Sequence, residues 1–257
     1  MVTAHQQYLD VAQRYLHSAG ETIARTAAGG SAHLLELVKK IEIDGFIRHA
    51  ERQIDPIRRR VIDGQIIPHA EKVFSIFAPH TEWISKGKAG VSQELGLRVC
   101  LLEDHHQFIL HHQVMAQKTD DQVTVSMVLE AKARFPQLNV CSFDQGFHSP
   151  ANQIALKALL ALVVLPRKGK LSQQALATEQ AQEFVNARRA PSAVESAINA
   201  LEVPGLDRCP DHGIDGFRRY VALAVVARNI HRIGAILSQR ELNRLQRAAK
   251  YSERETT

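Results

Sequence analysis

The sequence predicts an α/β layered domain that follows a helical segment. From residue 95 onward the elements come in the order hairpin, helix, strand, helix, strand and further helices, which is typical of α/β domains. Before residue 75 the apolar residues recur at intervals of three and four, which indicates amphipathic helices. The 257 residues allow one large domain or two small ones. We therefore place a helical segment at residues 1–75 and an α/β core with C-terminal helices at residues 76–257.

Composition restricts the class of protein. The apolar fraction of 45% and the charged fraction of 23% are those of a globular chain, and no stretch approaches the roughly 20 uninterrupted apolar residues that span a bilayer. Disordered and transmembrane proteins are therefore excluded at this stage. Three cysteines without CxxC spacing, and a start without the apolar core of a signal peptide, predict a cytoplasmic protein. A net charge of +5 favours polyanionic partners.

The N-terminal segment is predicted to form two or three antiparallel helices up to about residue 60. The periodic apolar positions are Leu9, Ala12, Leu16, Leu34, Leu37, Val38 and Ile41. Gly20 and the Gly29-Gly30 pair separate the helical stretches. Residues 73–88 mix Pro, Gly and polar residues, and we expect an irregular boundary there.

A hairpin is predicted next. Residues 95–102 and 107–114 are β-branched and aliphatic runs joined by the polar link Glu103-Asp104-His105-His106. We expect this hairpin to be antiparallel and to pair with a strand at residues 138–143, leaving Asp104 at a turn remote from Asp144.

The remaining elements follow from periodicity and from turn signals. Asp120 and Asp121 are expected to cap an amphipathic helix that Pro136 ends. After the strand at residues 138–143 come a helix through residues 156–160, a strand at residues 162–165, a basic turn at residues 166–170 and a mainly helical remainder.

Two carboxylates are candidates for chemistry. Asp144 stands where an apolar strand gives way to Gln-Gly, and the carboxyl ends of strands in α/β sheets display reactive groups; ordinary turn chemistry is the alternative. Glu195 flanks the apolar face of a predicted helix, and by itself it could be a surface glutamate. Together they match phosphoryl-transfer sites, in which carboxylates hold a pair of divalent metals.

Four segments of the sequence resemble a known family. They are HTEWISKGKAG, QFILHHQVMAQKTDDQV, SFDQGFHSP and PSAVESAINALEVPGLDRCPDHGIDGFRRYVALAVVARNIHRIG. These segments resemble transposases of bacterial insertion sequences of the DDE type, and the resemblance covers most of the chain. It implies a ribonuclease H-like catalytic core with an N-terminal helical segment and a long C-terminal basic helix.

The resemblance assigns roles to particular residues. In that family an Asp-x-Gly-[Tyr/Phe] sequence at the end of a core strand supplies the second metal-binding aspartate, which implies Asp144 here. The final glutamate lies in a helix after a basic segment, which implies Glu195 after Arg188 and Arg189. The implied cofactor is Mg2+ (or Mn2+), and the implied reaction is the attack of water or a 3′ hydroxyl on a DNA phosphodiester.

The sequence also departs from the family. The family's first aspartate lies on the first core strand, and no matching motif precedes Gln6. We expect an incomplete first strand and the C-terminal part of a longer transposase, with impaired strand transfer. Asp104 is an alternative first aspartate, which its place in the hairpin turn disfavours. The competing function is an inactive DNA-binding or dimerising transposase fragment.

A histidine-based metal hydrolase is a third class. His105, His106, His111 and His112 are clustered in and beside the hairpin turn. Adjacent residues of a strand point to opposite faces, so His111 and His112 cannot reach one ion. A solvated, slightly basic hairpin is therefore the preferred interpretation.

Basic residues predict DNA as the partner, at transposon ends and at the target. Arg167, Lys168 and Lys170 should project near the same edge as Asp144. The arginines between residues 214 and 250 are Arg218, Arg219, Arg228, Arg232, Arg240, Arg244 and Arg247. Such a stripe can neutralise phosphates, although a solvated helix face is the alternative. We also expect a homo-oligomer and no membrane association.

Overall fold

A computed structural model describes residues 2–28, 34–85, 93–169, 172–189, 201 and 208–255. The chain divides into two compact units, Met1–Leu97 and Arg98–Thr257, which are described separately. The sequence alone placed the division at residues 75 and 76. The first unit of the structure thus also contains the residues between that point and Leu97.

The first unit is built on two long helices, α1 (Val2–Ala28) and α2 (Leu34–Val61), which pack against one another. Leu9 is fully buried, and Ala50 and Ile54 are also buried. This confirms the predicted N-terminal helices, but Gly20 lies inside α1 and does not separate two helical stretches. The predicted apolar positions Leu37, Val38 and Ile41 of α2 are exposed.

The same unit contains a small sheet that the sequence did not predict. Strand β1 (Glu82–Ser85) pairs antiparallel with β2 (Gln93–Gly96), so part of the region expected to be irregular is a strand. Leu95 pairs with Trp83 in this sheet. The predicted strand at residues 95–102 is therefore wrong at its start, because the backbone changes its pairing partner on either side of Leu97.

The second unit begins with the predicted hairpin, formed by β3 (Arg98–Glu103) and β4 (Ile109–Met115) in antiparallel register. The turn is held by Asp104, whose Oδ1 accepts the backbone N–H groups of His106 at 2.9 Å and Phe108 at 2.8 Å. Such aspartate-to-backbone bonds stabilise tight turns. Asp104 is thus at the hairpin turn, as predicted.

Helix α3 (Asp120–Arg134) lies on one face of the hairpin. Its buried residues Val123, Met127, Val128 and Ala131 are those that the apolar periodicity predicts. The N-cap is Thr119, which forms a capping box with Gln122, so the adjacent aspartates are first-turn residues and not the cap.

A strand–helix–strand unit follows, made of β5 (Val140–Ser142), α4 (Pro150–Leu159) and β6 (Leu162–Val164). The two strands are parallel, and Phe143 donates its backbone N–H to the carbonyl of Val164 at 2.8 Å. The predicted pairing of the hairpin with residues 138–143 is therefore wrong for the described residues. Leu156 of the crossover helix buries against Cys141 and Val163, which holds β5 beside β6.

The described part of the chain continues with α5 (Gln173–Gln180), α6 (Gln182–Arg189) and α7 (Gly213–Glu255). Helix α7 has 43 residues and is about 65 Å long. Its Val225 packs with Ile109 of β4 and with Leu201. The hairpin is therefore covered by α3 and α7, and the fold class is mixed α/β.

Helix α7 is long enough to be compared with a membrane-spanning helix. By length and composition alone, its stretch Gly213–Ala248 could cross a bilayer. One such helix is weak evidence for a membrane protein, because helices of water-soluble proteins can satisfy the same criterion.

Candidate functional site

Asp144 lies at the carboxyl end of β5, which confirms its predicted place at a strand end. It is the N-cap residue of a short 3-10 turn, Gln145–Phe147, and it is exposed. Its side chain makes no capping hydrogen bond with that turn. The Asp144 carboxylate is therefore exposed and is not engaged as a cap of this turn.

A second carboxylate, for which the sequence predicts only a role in helix capping, lies against the same turn. A Cβ atom on Gly146 would be 2.8 Å from Oδ2 of Asp120. Asp120 comes from the first turn of α3, 24 positions before Asp144 along the chain. Glycine at position 146 has no Cβ atom, and it therefore leaves room for the Asp120 carboxylate beside the turn.

Buried polar side chains join the start of α3 to this turn. Asn152 donates its Nδ2 to the carbonyls of Asp121 at 2.7 Å and Phe147 at 2.9 Å. Thr124 donates its hydroxyl to the carbonyl of Asp120 at 2.8 Å. Both Asn152 and Thr124 are buried, so these hydrogen bonds are shielded from water. They fix the start of α3 against the turn that follows Asp144.

Two of the predicted basic residues lie at this edge. Lys168 donates its Nζ to the carbonyl of Gly146 at 3.0 Å, and Arg167 accepts a bond from Nε2 of Gln145 on its carbonyl at 2.7 Å. Glu179 of α5 accepts the backbone N–H of Arg167 at 2.9 Å. The prediction that Arg167 and Lys168 lie near the edge that carries Asp144 is therefore confirmed.

Cationic side chains partly balance the carboxylates beside the turn that follows Asp144. The pKa of Asp121 is held below its usual range, first by a hydrogen bond with the Thr119 side chain and also by the positive charge of Lys168. Arg98 of β3 has its Nη1 3.7 Å from Oδ1 of Asp120. Carboxylates and cationic side chains thus lie together beside this turn.

The donor atoms fit a hard divalent cation, which prefers carboxylate and carbonyl oxygens. Within the described ranges, however, no group of three or more His, Cys, Asp or Glu residues is placed to hold a metal ion. Glu195 and Lys170 lie outside the described residues, and so does the side chain of Arg189. Arg188 is exposed on α6. The convergence of Asp144 with Glu195 stays a prediction.

Two arginines predicted to contact DNA lie on the packed side of α7. Arg232 donates its Nε to the carbonyl of His106 at 2.7 Å, and Nε of Arg228 is buried with no hydrogen-bond partner among the described residues. Burial raises the pKa of Glu103, and the nearby charge of Arg228 opposes that rise. Both arginines therefore lie between α7 and the hairpin, and their contact with DNA stays a prediction.

The histidines of the hairpin are distributed between its turn and its two faces. His111 is buried, and its Nε2 lies 3.3 Å from Oε2 of Glu130 on α3. His112 pairs with Leu101, which packs with the cluster on the α7 side. His111 therefore lies on the α3 side of the hairpin, and the strand partner of His112 packs on the α7 side.

No family model, no curated protein and no solved structure matches this chain. Function must therefore be inferred from the residues and their geometry.

Proposed function

We propose that the chain is part of a cytoplasmic DDE-type transposase with a ribonuclease H-like core, and that it acts on DNA through a divalent metal. The observation that carries this proposal is the carboxylate of Asp144. It stands at a strand end and makes no capping hydrogen bond with its own turn, and Lys168 binds the carbonyl of Gly146 in that turn. Metal-dependent phosphoryl transfer needs an oxygen donor and a nearby cation in this arrangement.

The separation of the two small sheets also supports the proposal. The hairpin and the β5–β6 pair are not hydrogen-bonded to each other in the described residues, yet both pack on α3. Leu102 of β3 contacts both apolar clusters, so the hairpin packs against the layer that contains β5. One additional strand between β3 and β5 would join them into one sheet. An interior strand is where the family resemblance places the first aspartate.

In this proposal each residue has a defined task. Asp144 and Glu195 would hold Mg2+ (or Mn2+), and the ion would supply Lewis-acid stabilisation of the attacking and leaving oxygens. Lys168 and Arg167 bind DNA phosphates beside the metal. Asp120 is placed to complete or adjust the site, because it already contacts the turn after Asp144. Because these residues do not include the first aspartate of the family, we expect impaired DNA cleavage.

Metal binding is the direct test. Mn2+ titrated into the full chain in a calorimeter should bind weakly, and Asp144→Asn should abolish the heat. Asp63→Asn, at an exposed aspartate of the first unit, is the matched control and should bind as the parent does. Nicking of a supercoiled plasmid in Mn2+ is the second readout. Equal Mn2+ binding by Asp144→Asn and the parent would refute the proposed site.

DNA binding is tested through its salt dependence. Each arginine–phosphate contact contributes about −0.9 to the slope of log affinity against log salt. Replacing the exposed Arg240 and Arg244 by alanine should therefore flatten the slope for duplex DNA. An unchanged slope would mean that the arginines beyond residue 233 are a solvated helix face.

The alternative, an inactive dimerising fragment, is favoured by one observation on α7. The side chains of Leu223, Val226, Ile230, Ile233 and Leu237 are 48–67% exposed. They are spaced three, four, three and four residues apart, which is the pattern of a coiled-coil seam. The seam ends at Arg240 and Arg244, which occupy its next two positions. A second copy of the chain would bury this stripe and form a homo-oligomer.

A further inference from the structure

The first unit contains a groove that the proposed function does not use. Its volume is about 700 Å³, which is in the range of small-molecule sites. Aromatic rings and cations contribute to its wall: Tyr8, His69, Phe74, Trp83, Arg60 and Lys72. No carboxylate of the described residues lines it.

The rings form a row. The ring centroids of His69 and Phe74 are 5.6 Å apart, and those of Phe74 and Trp83 are 5.8 Å apart. Trp83 is 41% exposed and Tyr8 is 53% exposed, so parts of both rings are open to solvent. A planar ligand can add to such a row by stacking, as nucleic acid bases do on protein aromatic side chains.

The groove is also positively charged. Two nearby carboxylates are paired with an arginine, because Nη1 of Arg59 contacts Glu71 at 2.6 Å and Asp55 at 3.1 Å. Arg60 and Lys72 line the groove itself. A ligand that combines a flat ring with an anionic group matches both features of the groove.

We infer that this groove binds an unpaired nucleotide of a nucleic acid strand, with the base stacked on Trp83 and Tyr8 and the phosphates held by Arg60 and Lys72. A base within a duplex presents no free face to such a row, so the occupant is single-stranded or unpaired. The site lies in the first unit and does not depend on the metal site of the proposed function.

Trp83 makes the inference directly measurable, because it is the only tryptophan in the chain. An oligothymidylate titrated into the full protein at low salt should quench its fluorescence. Duplex DNA of equal length and thymidine monophosphate should quench it more weakly. Quenching by the monophosphate at the same concentrations as the oligonucleotide would overturn the assignment to a strand, and no quenching by any of the three would overturn the site.

Substitutions distinguish base stacking on the aromatic rings from electrostatic attraction of the phosphates. Affinity for a fluorescently labelled oligothymidylate, measured by anisotropy, should fall roughly 5- to 100-fold in Tyr8→Ala and in Trp83→Ala. Trp83→Phe keeps an aromatic ring and should retain most of the affinity. Arg60→Ala should flatten the salt dependence.

Matched controls lie on the same helices. Tyr15 is 75% exposed on α1 and Arg52 is exposed on α2, and neither lines the groove. Tyr15→Ala and Arg52→Ala should bind as the parent does. Losses equal to those of Tyr8→Ala and Arg60→Ala would overturn the inference. Asp144→Asn should leave oligothymidylate binding unchanged. A failure of the groove proposal can therefore be told apart from a failure of the proposed metal site.

Discussion

Asn152→Ala should loosen the candidate site without removing a proposed ligand. The side chain of Asn152 is 8% exposed and donates two hydrogen bonds, to the carbonyls of Asp121 and Phe147. A hydrogen bond of this kind contributes about 0.5–1.5 kcal/mol net, so the loss of both should lower the free energy of unfolding by about 1–3 kcal/mol. Asn152→Asp should cost more, because it turns a carboxylate oxygen toward two carbonyl oxygens.

The assay is urea denaturation followed by circular dichroism, with Mn2+ calorimetry on the same samples. Asn243→Ala on the exposed part of α7 is the control and should change stability by less than about 0.5 kcal/mol. Mn2+ affinity should fall with Asn152→Ala, since the turn after β5 is no longer tied to α3. A stability within about 0.5 kcal/mol of the parent would refute the proposed role of the two bonds.

Three further predictions concern the site, the hairpin and α7. Gly146→Val should displace the Asp120 carboxylate and lower Mn2+ affinity in calorimetry; unchanged affinity would contradict a role for Asp120 in the site. Burial lowers the pKa of His111 from 6.5, so the unfolded chain takes up its proton first and the free energy of unfolding should fall as pH drops below about 6.5. His111→Gln should flatten that dependence in urea melts at pH 5–8, and an unchanged slope would exclude His111. Ile230→Ser with Leu237→Ser should shift sedimentation to a monomer; a parent that is monomeric at high concentration would contradict the seam.

Helix α3 was predictable because its apolar periodicity coincides with burial, whereas the periodic residues Leu37, Val38 and Ile41 of α2 are exposed. The positions Val123, Met127, Val128 and Ala131 recur at helical spacing, and all are buried in α3. The strand before Asp144 is a short apolar run that ends in a Gln-Gly turn, so its end could also be located.

Pairing between strands was not predictable in the same way. The apolar runs that identify β3, β4 and β5 carry no information about which edges meet, and β5 pairs with β6 through a crossover helix. The position of Arg228 near Glu103 of the hairpin was also not predictable, because arginine on a helix is ordinarily exposed.

The sequence by itself determined most of the helices, the strands from β3 to β6, the turn at Asp104, the strand-end place of Asp144 and the basic turn at Lys168, because each depends on residues close together in the chain. It did not determine the β1–β2 sheet. Only the tertiary structure decided that Asp120 lies against Gly146. Likewise, the groove of the first unit draws its wall from residues between His5 and Trp83. The physical reason is that these neighbours are brought together by packing between distant segments, and the spacing of residues along one segment does not encode such contacts.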